Sequence, residues 1–592
     1  MSHEHVMKWI QDGESGEELE NTEEVSMKRR GFLGSVGLLG AASLGSGQPL
    51  FGSQSDNAAQ SAPPFDPFEP TVGDVHRKYR TGQLTVRDVV EGYLDRIESY
   101  EEELDAIIRI NPSALERADE LDEALESGEL AGPLHGIPLI LKDNNDTADI
   151  PTTAGSVSLD HSTPPDDATI VSKMRDAGAV ILAKANLSEF AFSYDSISSF
   201  GGTVKNPYDT ERHAGGSSGG TGATIAANLG MMGTGTDTGG SVRVPSAACS
   251  LVGLRPTTGL ISRDGIVPLS LTEDTAGPMA RTVADAARFT DVMAGYDPAD
   301  PETSTSVGRT PHAEGKRYTD YLRYDGLESR RIGVYRDYVG PSDDEEDSAI
   351  IEDAEAVADV FDHALEEIEA AGATVVDPVE APSWDFVYSA NVASGDEFNR
   401  DIDSYLEGLE GDAPEDLEEI AESGEFSPAI CSLREREEVD EDAVDENLSY
   451  LQTLSRRDDL QEFVHSTFVD NDLDAVVYPA LTQTPPHIDS DEPWGSNAQL
   501  SPALEFPSMT VPAGFTAETE MPVGIEFMTR EYEEAKLFEI AYAYEQNSQA
   551  RQMPDGYGSV ESDVEWSQAE IEQWNESQHK NESVAELGGC EQ

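Results

Sequence analysis

Cysteine is scarce in this 592-residue chain, which contains only Cys249, Cys431 and Cys590. An odd number of cysteines at such wide spacing indicates neither a disulfide framework nor a metal cluster. The sequence also lacks the CxxC and HExxH patterns that supply ligands to common zinc sites. We therefore expect no metal ion and no organic cofactor.

The chain also contains few positively charged residues. Lys and Arg total 38 against 117 Asp and Glu, which gives a net charge of −79, and only ten of the basic residues are Lys. A surface this anionic repels nucleic-acid phosphates and anionic membranes, so neither is expected as a partner. Long apolar periodic segments argue against disorder. The composition instead resembles that of acid-coated, folded proteins from extreme halophiles.

The acidic residues are unevenly distributed. Residues 401–450 contain 19 acidic residues and two Arg, whereas residues 201–300 contain ten acidic and seven basic residues. Residues 201–300, in which acidic and basic residues are more nearly equal in number, are the less suited of the two blocks to lie at the surface. We expect residues 404–450 to form a helical, acid-faced insertion or lid, and residues 561–592 to form a peripheral acidic tail.

A pair of arginines precedes an apolar segment near the N-terminus. Arg29 and Arg30 stand before a Gly- and Ala-rich run, and residues 27–48 together resemble a twin-arginine export signal. The apolar run of about 15 residues is too short to span a bilayer comfortably. We expect export to the cell surface or medium, with no integral membrane span after signal removal, or a cytoplasmic protein if the signal is not used. The alternative is a basic cap on a buried helix.

Two further segments flank this candidate signal. Residues 1–26 form an extension that is unusual ahead of such a signal, which makes Met27 a candidate for the true start. Residues 49–70 are rich in Ser, Gln and Pro, a composition typical of a linker. The folded part is therefore expected to span residues 71–560.

Within residues 71–560, short apolar runs alternate with segments of helical periodicity. This alternation predicts an α/β fold with a largely parallel or mixed sheet, in a single large domain. The predicted helices are Val86–Tyr100 with Thr85 as N-cap, Ser113–Leu125, Ala168–Ala177, Gly219–Leu229, Ile350–Ala371 and Glu534–Gln546. The predicted strands are Gly136–Leu141, Ala179–Ala183, Arg331–Tyr335, Ala373–Val376, Asp474–Tyr478, Ser508–Val511 and Val523–Phe527.

Three segments have the residue types of a hydrolytic site. In the first, Lys142 ends the apolar run Gly136–Leu141. A lysine at the end of a buried strand is desolvated, which lowers its pKa and allows it to act as a neutral amine base. The alternative is a structural lysine paired with Asp143 or Asp146.

The second segment is His213-Ala-Gly-Gly-Ser217-Ser218-Gly-Gly-Thr-Gly. Glycines on both sides of the serines permit a close backbone approach to a substrate, and the following helix directs free N–H groups at this loop. A flexible linker is the alternative.

The third segment is Gly235-Thr-Asp-Thr-Gly-Gly-Ser241-Val-Arg-Val-Pro245. Two glycines before a serine expose successive backbone N–H groups, as an oxyanion hole requires. A tight turn between core elements is the alternative.

Gly215–Gly219 also matches GxSxG, the nucleophile elbow of α/β-hydrolases. That motif requires a strand immediately before it, and the preceding Glu211-Arg-His-Ala is a poor strand sequence. None of the downstream histidines lies in a distinctive loop. We therefore do not expect this fold.

Taken together, the three segments resemble the amidase-signature family. The family pattern, a Gly-Gly-Ser-Ser-Gly-Gly block leading to Gly-Thr-Asp-x-Gly-Gly-Ser-x-Arg-x-Pro, is present from Gly215 to Pro245. The pattern continues through Gly253-Leu-Arg-Pro-Thr, and the resemblance extends over about residues 75–555. It implies a mixed β-sheet surrounded by α-helices, and hydrolysis of a carboxamide to an acid plus ammonia or an amine.

The resemblance also implies a role for each motif residue. Ser241 would attack the carbonyl, Ser217 after a cis peptide from Gly216 would relay the proton, and Lys142 would be the base. The remaining implied roles are oxyanion-hole N–H groups at Thr238, Gly239 and Gly240, supporting contacts from Ser218, Asp237 and Arg243, and substrate contacts from Phe190, Ala191, Phe192 and Ser193.

The sequence leaves the substrate open. Residues 272–281 and the C-terminal segment 506–515 look most like those of stand-alone amidases, including peptide-amidase-type enzymes. A small-molecule or peptide amide is therefore expected. One alternative is the glutaminase (A) subunit of a tRNA-dependent amidotransferase; another is an exported non-catalytic binding protein. The protein is expected to be a monomer or homodimer.

Overall fold

The computed structural model describes residues 69–578 except 129, 343–344, 393, 410, 412, 431, 438–443, 445–446, 491, 561 and 563. The described residues belong to one compact unit. The predicted N-terminal extension (1–26), the signal (27–48) with its Arg pair, and nearly all of the linker (49–70) lie outside the described residues.

An eleven-stranded mixed sheet forms the centre of the described chain. Its strands are β1 (Ile107–Ile110), β2 (Pro138–Lys142), β3 (Val180–Ala185), β8 (Met232–Thr236), β9 (Val252–Arg255), β10 (Ala276–Ala280), β11 (Arg331–Val334), β12 (Thr374–Val376), β13 (Ala475–Pro479), β14 (Ser508–Phe515) and β15 (Pro522–Met528). Two ribbons lie apart from it: β4 (Ile197–Ser198) with β5 (Gly202–Thr203), and β6 (Lys205–Asn206) with β7 (Asp209–His213).

Helices surround the sheet, and their buried apolar side chains pack with those of the strands in the hydrophobic core. They are α1 (Val72–Arg80), α2 (Val86–Leu104), α3 (Ala114–Glu126), α4 (Thr169–Asp176), α5 (Gly219–Ala226), α6 (Arg243–Ala248), α7 (Val283–Met293), α8 (Ser348–Ala370), α9 (Trp384–Ala390), α10 (Ser394–Leu406), α11 (Leu417–Ser423), α12 (Leu433–Glu437), α13 (Leu448–Asp470), α14 (Leu500–Leu504), α15 (Glu534–Ser548) and α16 (Gln568–Gln578). No helix in the described part of the chain is both long and apolar enough to cross a membrane.

The sheet order is β1-β3-β2-β8-β10-β9-β14-β15-β13-β11-β12. Strands β3, β2 and β8 run parallel, as do β13, β11 and β12, while β9, β10, β14 and β15 pair in antiparallel fashion. The predicted α/β fold with a mixed sheet surrounded by helices is therefore confirmed.

Helix α5 packs unusually close to the centre of the sheet because the strand beneath it contains glycine. A Cβ added at Gly233 of β8 would lie 2.5 Å from the Ile140 carbonyl oxygen and 2.6 Å from Thr221 Cγ2 of α5. Only glycine leaves room for this contact. The small residues of α5 and β8 thus bring the serine-rich loop before α5 close to the ends of β2 and β8.

Two expectations differ from the structure. The segment Glu211–Ala214, taken as a poor strand sequence, overlaps strand β7 (Asp209–His213). This strand pairs with β6 in a short ribbon, and a single bridge joins Arg212 to His487. Ser217 therefore does not follow a strand of the main sheet, as a nucleophile elbow would require.

The C-terminal tail is also less peripheral than expected. Helix α16 packs beside β1, with Ile571 and Trp574 buried. Asn575 exchanges hydrogen bonds with the backbone of Ile110, at 2.8 and 2.9 Å. These contacts cap the edge strand β1, so residues up to 578 complete the fold.

The acidic region predicted at 404–450 contains α11, α12 and the start of α13, and its neighbour α10 begins earlier, at Ser394. Its apolar side chains, among them Leu417 and Ile420, pack into one cluster with Phe190 and Leu269. In α11 the acidic residues Glu418, Glu419 and Glu422 are exposed, because the buried side of this helix consists of Leu417, Ile420 and Ala421.

Candidate active site

Lys142 is the last residue of β2 and lies beside the end of β8. Parallel strands finish at the same edge of a sheet, so Lys142 and the loop after Thr236 meet there. The Lys142 backbone N–H donates to Thr234 Oγ1 at 3.1 Å, which ties the two strand ends together.

The Lys142 side chain is fully buried, and its Nζ lies 2.7 Å from both Ser217 Oγ and Thr236 Oγ1. Burial lowers the pKa of Lys142 to about 7, although the charges of Asp274 and Asp237 oppose the shift. The alternative of a lysine paired with Asp143 or Asp146 is not what the structure contains. Asp143 forms an ion pair with Lys184 at 3.0 Å, and Asp146 accepts a hydrogen bond from the Tyr405 hydroxyl at 2.9 Å. Sequence reasoning missed Thr236 as a partner.

The Gly216–Ser217 peptide bond is cis. A Cβ at Gly216 would lie 2.8 Å from the carbonyl carbon and oxygen of Tyr194, so the loop can approach that segment only with glycine. Ser217 and Ser218 are both fully buried. Ser218 Oγ donates to the Thr236 carbonyl at 3.4 Å, which anchors this loop to the end of β8.

Ser241 lies next to this serine pair. Its carbonyl accepts a hydrogen bond from Ser218 N at 3.3 Å. Among the hydrogen bonds of the described residues, none joins the hydroxyls of Ser217 and Ser241. Catalytic hydrogen bonds commonly close only when the substrate is bound.

A buried ion-pair network fixes the loop before Ser241. Asp237 accepts hydrogen bonds from Gly240 N at 2.8 Å and Val242 N at 3.1 Å, and from two guanidinium nitrogens of Arg243 at 3.0 Å each. Arg243 also donates to Glu526 Oε1 at 2.7 Å. Burial alone would raise the pKa of Asp237, but the neighbouring guanidinium charges lower it to about 2.

The loop presents three free backbone donors. The N–H groups of Thr238, Gly239 and Ser241 donate to no other described residue, and these three residues line a common cavity. The Gly240 N–H, expected in the oxyanion hole, is engaged by Asp237. Gly240 adopts φ +121°, a conformation that favours glycine and allows this turn.

A cavity of about 540 Å³ opens onto Ser241. Of the residues expected to contact substrate, Ala191, Phe192 and Ser193 line it. Phe190 does not: its side chain is 2 % exposed and packs in the core, in contact with Phe398. An aromatic residue in this segment suits core and cleft equally, so the sequence could not separate the two.

Other residues also line the cavity. Tyr194 accepts a hydrogen bond from Gln499 Nε2 at 3.0 Å and donates to the Gly239 carbonyl, and burial raises its pKa to about 12. The lining residues that the sequence did not indicate are Asp195, Leu269, Glu273, Tyr388, Asn391, Val392, Trp494 and Gln499. They come from distant parts of the chain, and no local motif marks them.

The loop of residues 269–274 is hydrogen-bonded to the loop of residues 237–241, which carries the three free N–H donors. Thr238 Oγ1 donates to Asp274, whose other oxygen accepts Leu269 N at 2.8 Å. Glu397 of α10 in turn accepts hydrogen bonds of 2.5 Å from Ser270 Oγ and other hydroxyls of this region. Helix α10 thereby holds the loop that orients Thr238. Within the described residues, no three His, Cys, Asp or Glu side chains are grouped as metal ligands.

Comparison with known proteins places this arrangement in one family. A family profile described as Amidase matches residues 88–538. The chain is 31% identical over 490 residues to the A subunit of glutamyl-tRNA(Gln) amidotransferase from Carboxydothermus hydrogenoformans, covering 80% of this chain and 96% of that protein. It is 32% identical over 521 residues to a probable amidase of Arabidopsis thaliana, covering 83% and 92%.

Solved structures agree with this assignment. The native peptide amidase of Stenotrophomonas maltophilia superposes with a TM-score of 0.70 at 36% identity, covering 82% of this chain and 98% of that one. The A subunit of glutamyl-tRNA(Gln) amidotransferase from Thermotoga maritima superposes with a TM-score of 0.62 at 25% identity, covering 83% and 98%. The chain therefore belongs to the amidase-signature family of hydrolases.

Proposed function

We propose that this protein is a stand-alone amidase that hydrolyses a carboxamide to an acid plus ammonia or an amine. The observation that carries the proposal is the Lys142 amine, which is fully buried, has a pKa of about 7 and lies 2.7 Å from the Ser217 hydroxyl. A lysine with an ordinary pKa is an ammonium at neutral pH and cannot accept a proton. One with a pKa near 7 is a competent general base.

In the acylation step, neutral Lys142 accepts the proton of Ser217 Oγ while Ser217 takes the proton of Ser241 Oγ. Ser241 Oγ forms a bond to the carbonyl carbon of the amide, and the carbonyl oxygen becomes an oxyanion. Serine is a weak nucleophile at its own pKa, so this relay is what activates it.

The N–H groups of Thr238, Gly239 and Ser241 bind the oxyanion. Donors that are held in place before the reaction cost no reorganisation as the charge develops, and each is worth about 10²- to 10³-fold in rate. Asp237 keeps this loop rigid, because it accepts hydrogen bonds from the Gly240 and Val242 N–H groups and is itself held by Arg243.

The proton then returns from Lys142 through Ser217 to the leaving nitrogen, and the C–N bond breaks. Ammonia or an amine departs and leaves an ester at Ser241. A water molecule attacks this acyl-enzyme through the same relay, which releases the acid and restores all three residues. Because esters share the acyl-enzyme, we expect ester hydrolysis as a side activity.

The cavity favours a stand-alone amidase over the glutaminase alternative. Among the described residues that line it there is no Lys or Arg, and its ionisable acids are Asp195 and Glu273. Free glutamine carries an α-carboxylate, which such a lining has no cation to neutralise. Hydrolysis of carboxamides that carry no free carboxylate, without release of ammonia from glutamine, is therefore expected.

The first test is labelling of the full-length protein in molar KCl by a fluorophosphonate probe. We expect labelling of the wild type that Ser241→Ala abolishes and that Ser217→Ala and Lys142→Ala strongly reduce. Ser158→Ala, which alters a hydroxyl outside the cavity, is the matched control and should label normally. The labelling rate should rise with pH through about 7 as Lys142 loses its proton.

Other outcomes would redirect the assignment. A wild type that does not label would favour the binding-protein alternative or an enzyme that needs a partner chain. Labelling that survives Ser241→Ala but not Ser217→Ala would make Ser217 the nucleophile, contrary to this mechanism.

We also propose export through the twin-arginine route and an adaptation to high salt, on the basis of Arg29, Arg30 and the net charge of −79. Replacing both arginines by lysine should retain the protein inside an expressing cell that has this route. Secretion that continues unchanged in this variant would contradict the assignment of the signal.

A further inference from the structure

The cavity beside Ser241 contains one carboxylate whose charge is not balanced by the protein. Two acidic side chains, Asp195 and Glu273, line the cavity, and no Lys or Arg does so among the described residues. The two acids differ in their surroundings. That difference determines which of them can interact with a substrate.

Glu273 is already engaged by groups of the protein. Its Oε1 lies 2.6 Å from Arg457 Nη1 and accepts a hydrogen bond from Val392 N at 2.9 Å. The side chains of both Glu273 and Arg457 are almost completely buried. Arg457 also pairs with Glu505, at 3.1 Å. The Glu273 carboxylate is therefore held by buried partners within the protein and is not presented to a ligand.

Asp195 has no such partner. No basic side chain in the described part of the chain forms an ion pair with it. It is only partly buried, and its Oδ1 accepts a hydrogen bond from the indole N–H of Trp494 at 2.7 Å. This bond holds the carboxylate in one orientation without cancelling its charge.

The carboxylate stands beside aromatic rings that also line the cavity. The rings of Tyr194 and Trp494 lie 5.9 Å apart in an edge-to-face arrangement. Aromatic faces attract cations, and a carboxylate adds a direct charge interaction. The combination is suited to an ammonium or guanidinium group.

Resting on the amidase function above, we propose that the enzyme selects carboxamides that carry a positive charge, and that Asp195 binds the ammonium or guanidinium group of the substrate. Candidate substrates are C-terminally amidated peptides with a basic residue and amides of basic amino acids.

The test compares three amides of similar size: N-acetyl-lysinamide, its neutral counterpart N-acetyl-norleucinamide, and the α-amide of N-acetyl-glutamate. Each is assayed for hydrolysis and for protection of Ser241 against the fluorophosphonate probe, so slow substrates still report binding. The enzymes are the full-length wild type, Asp195→Asn and Asp166→Asn. Asp166 is an exposed carboxylate outside the cavity, which controls for the loss of one negative charge.

We expect the wild type to prefer the lysine amide over the norleucine amide by roughly 10- to 100-fold, the range of a charge-assisted hydrogen bond. Asp195→Asn keeps an acceptor for the Trp494 N–H and should abolish this preference, whereas Asp166→Asn should retain it. Equal preference in wild type and Asp195→Asn would overturn the inference while leaving the amidase function intact. Absence of probe labelling in the wild type would overturn both.

Discussion

Replacing Lys142 with methionine should stabilise the protein at low pH while abolishing its activity. The pKa of Lys142 falls from its ordinary value of 10.5 to about 7 because the side chain is fully buried. Below pH 7 the folded protein must bury an ammonium, which costs about 5 kcal/mol more than burying the neutral amine. Methionine has a similar length and no charge, so the variant does not incur this cost.

The expected gain is smaller than this cost, because Lys142 donates hydrogen bonds to Ser217 Oγ and Thr236 Oγ1. Losing both costs roughly 2 kcal/mol. At pH 6 the Lys142→Met protein should therefore be more stable than the wild type by about 3 kcal/mol.

This advantage should depend on pH. Between pH 7 and 10.5 the unfolded chain keeps the lysine proton while the folded chain has released it, so the stability of the wild type rises with pH. From pH 6 to pH 9 the increase from this group is about 2.5 kcal/mol, which brings the two proteins close to equal stability. Urea denaturation of both proteins in molar KCl at pH 6 and pH 9 measures the difference.

Lys184→Met is the matched control. Lys184 is also fully buried, but its Nζ forms an ion pair with Asp143 at 3.0 Å. Its removal leaves a buried carboxylate unpaired, which should destabilise the protein by about 3–5 kcal/mol. If Lys142→Met shows the same stability difference from the wild type at both pH values, Lys142 is not held neutral, and the general-base assignment loses its physical basis.

Four further expectations can be measured with the same proteins and probe. Arg243→Lys cannot keep two bonds to Asp237 and one to Glu526, and should lower stability by about 3–5 kcal/mol in urea denaturation; an unchanged midpoint would contradict this. Glu397→Gln should slow fluorophosphonate labelling roughly 10- to 100-fold by loosening the loop that orients Thr238, with little change in unfolding midpoint. Trp574→Ala should cost about 3–5 kcal/mol, because α16 covers the edge strand β1. Dilution from molar to millimolar salt should lower Tm through self-repulsion at net charge −79, and a constant Tm would refute the halophilic assignment.

Much of the fold could be predicted because apolar residues recur along the sequence at the spacings typical of helices and strands. Helix α2, with Thr85 as its N-cap, begins at the residue that the capping pattern indicates. Strands β2 and β3 coincide with short apolar runs. Strand β8 was missed because Met-Gly-Thr-Gly-Thr has no such run: its glycines are required by the close approach of α5, which no local rule anticipates.

Some residues of the candidate site could be identified from the sequence, and others only from the structure. Ser217 and Ser241 lie in glycine-rich segments whose composition is informative on its own, and Lys142 ends a buried strand. Phe190 was misplaced because a buried aromatic residue and a cavity-lining one look alike in sequence. The engagement of the Gly240 N–H by Asp237 depends on a turn geometry that the residue types permit but do not specify.

The sequence by itself determined the family, the α/β alternation, the charged surface and the residues around which a site would form. These properties depend on composition and on neighbours along the chain. Only the tertiary structure decided the pKa of Lys142, the choice of Lys184 as the partner of Asp143, and the contact between Asp195 and Trp494 across 299 residues. Desolvation and long-range contact exist only once distant segments pack together, because both depend on which atoms exclude water from a group.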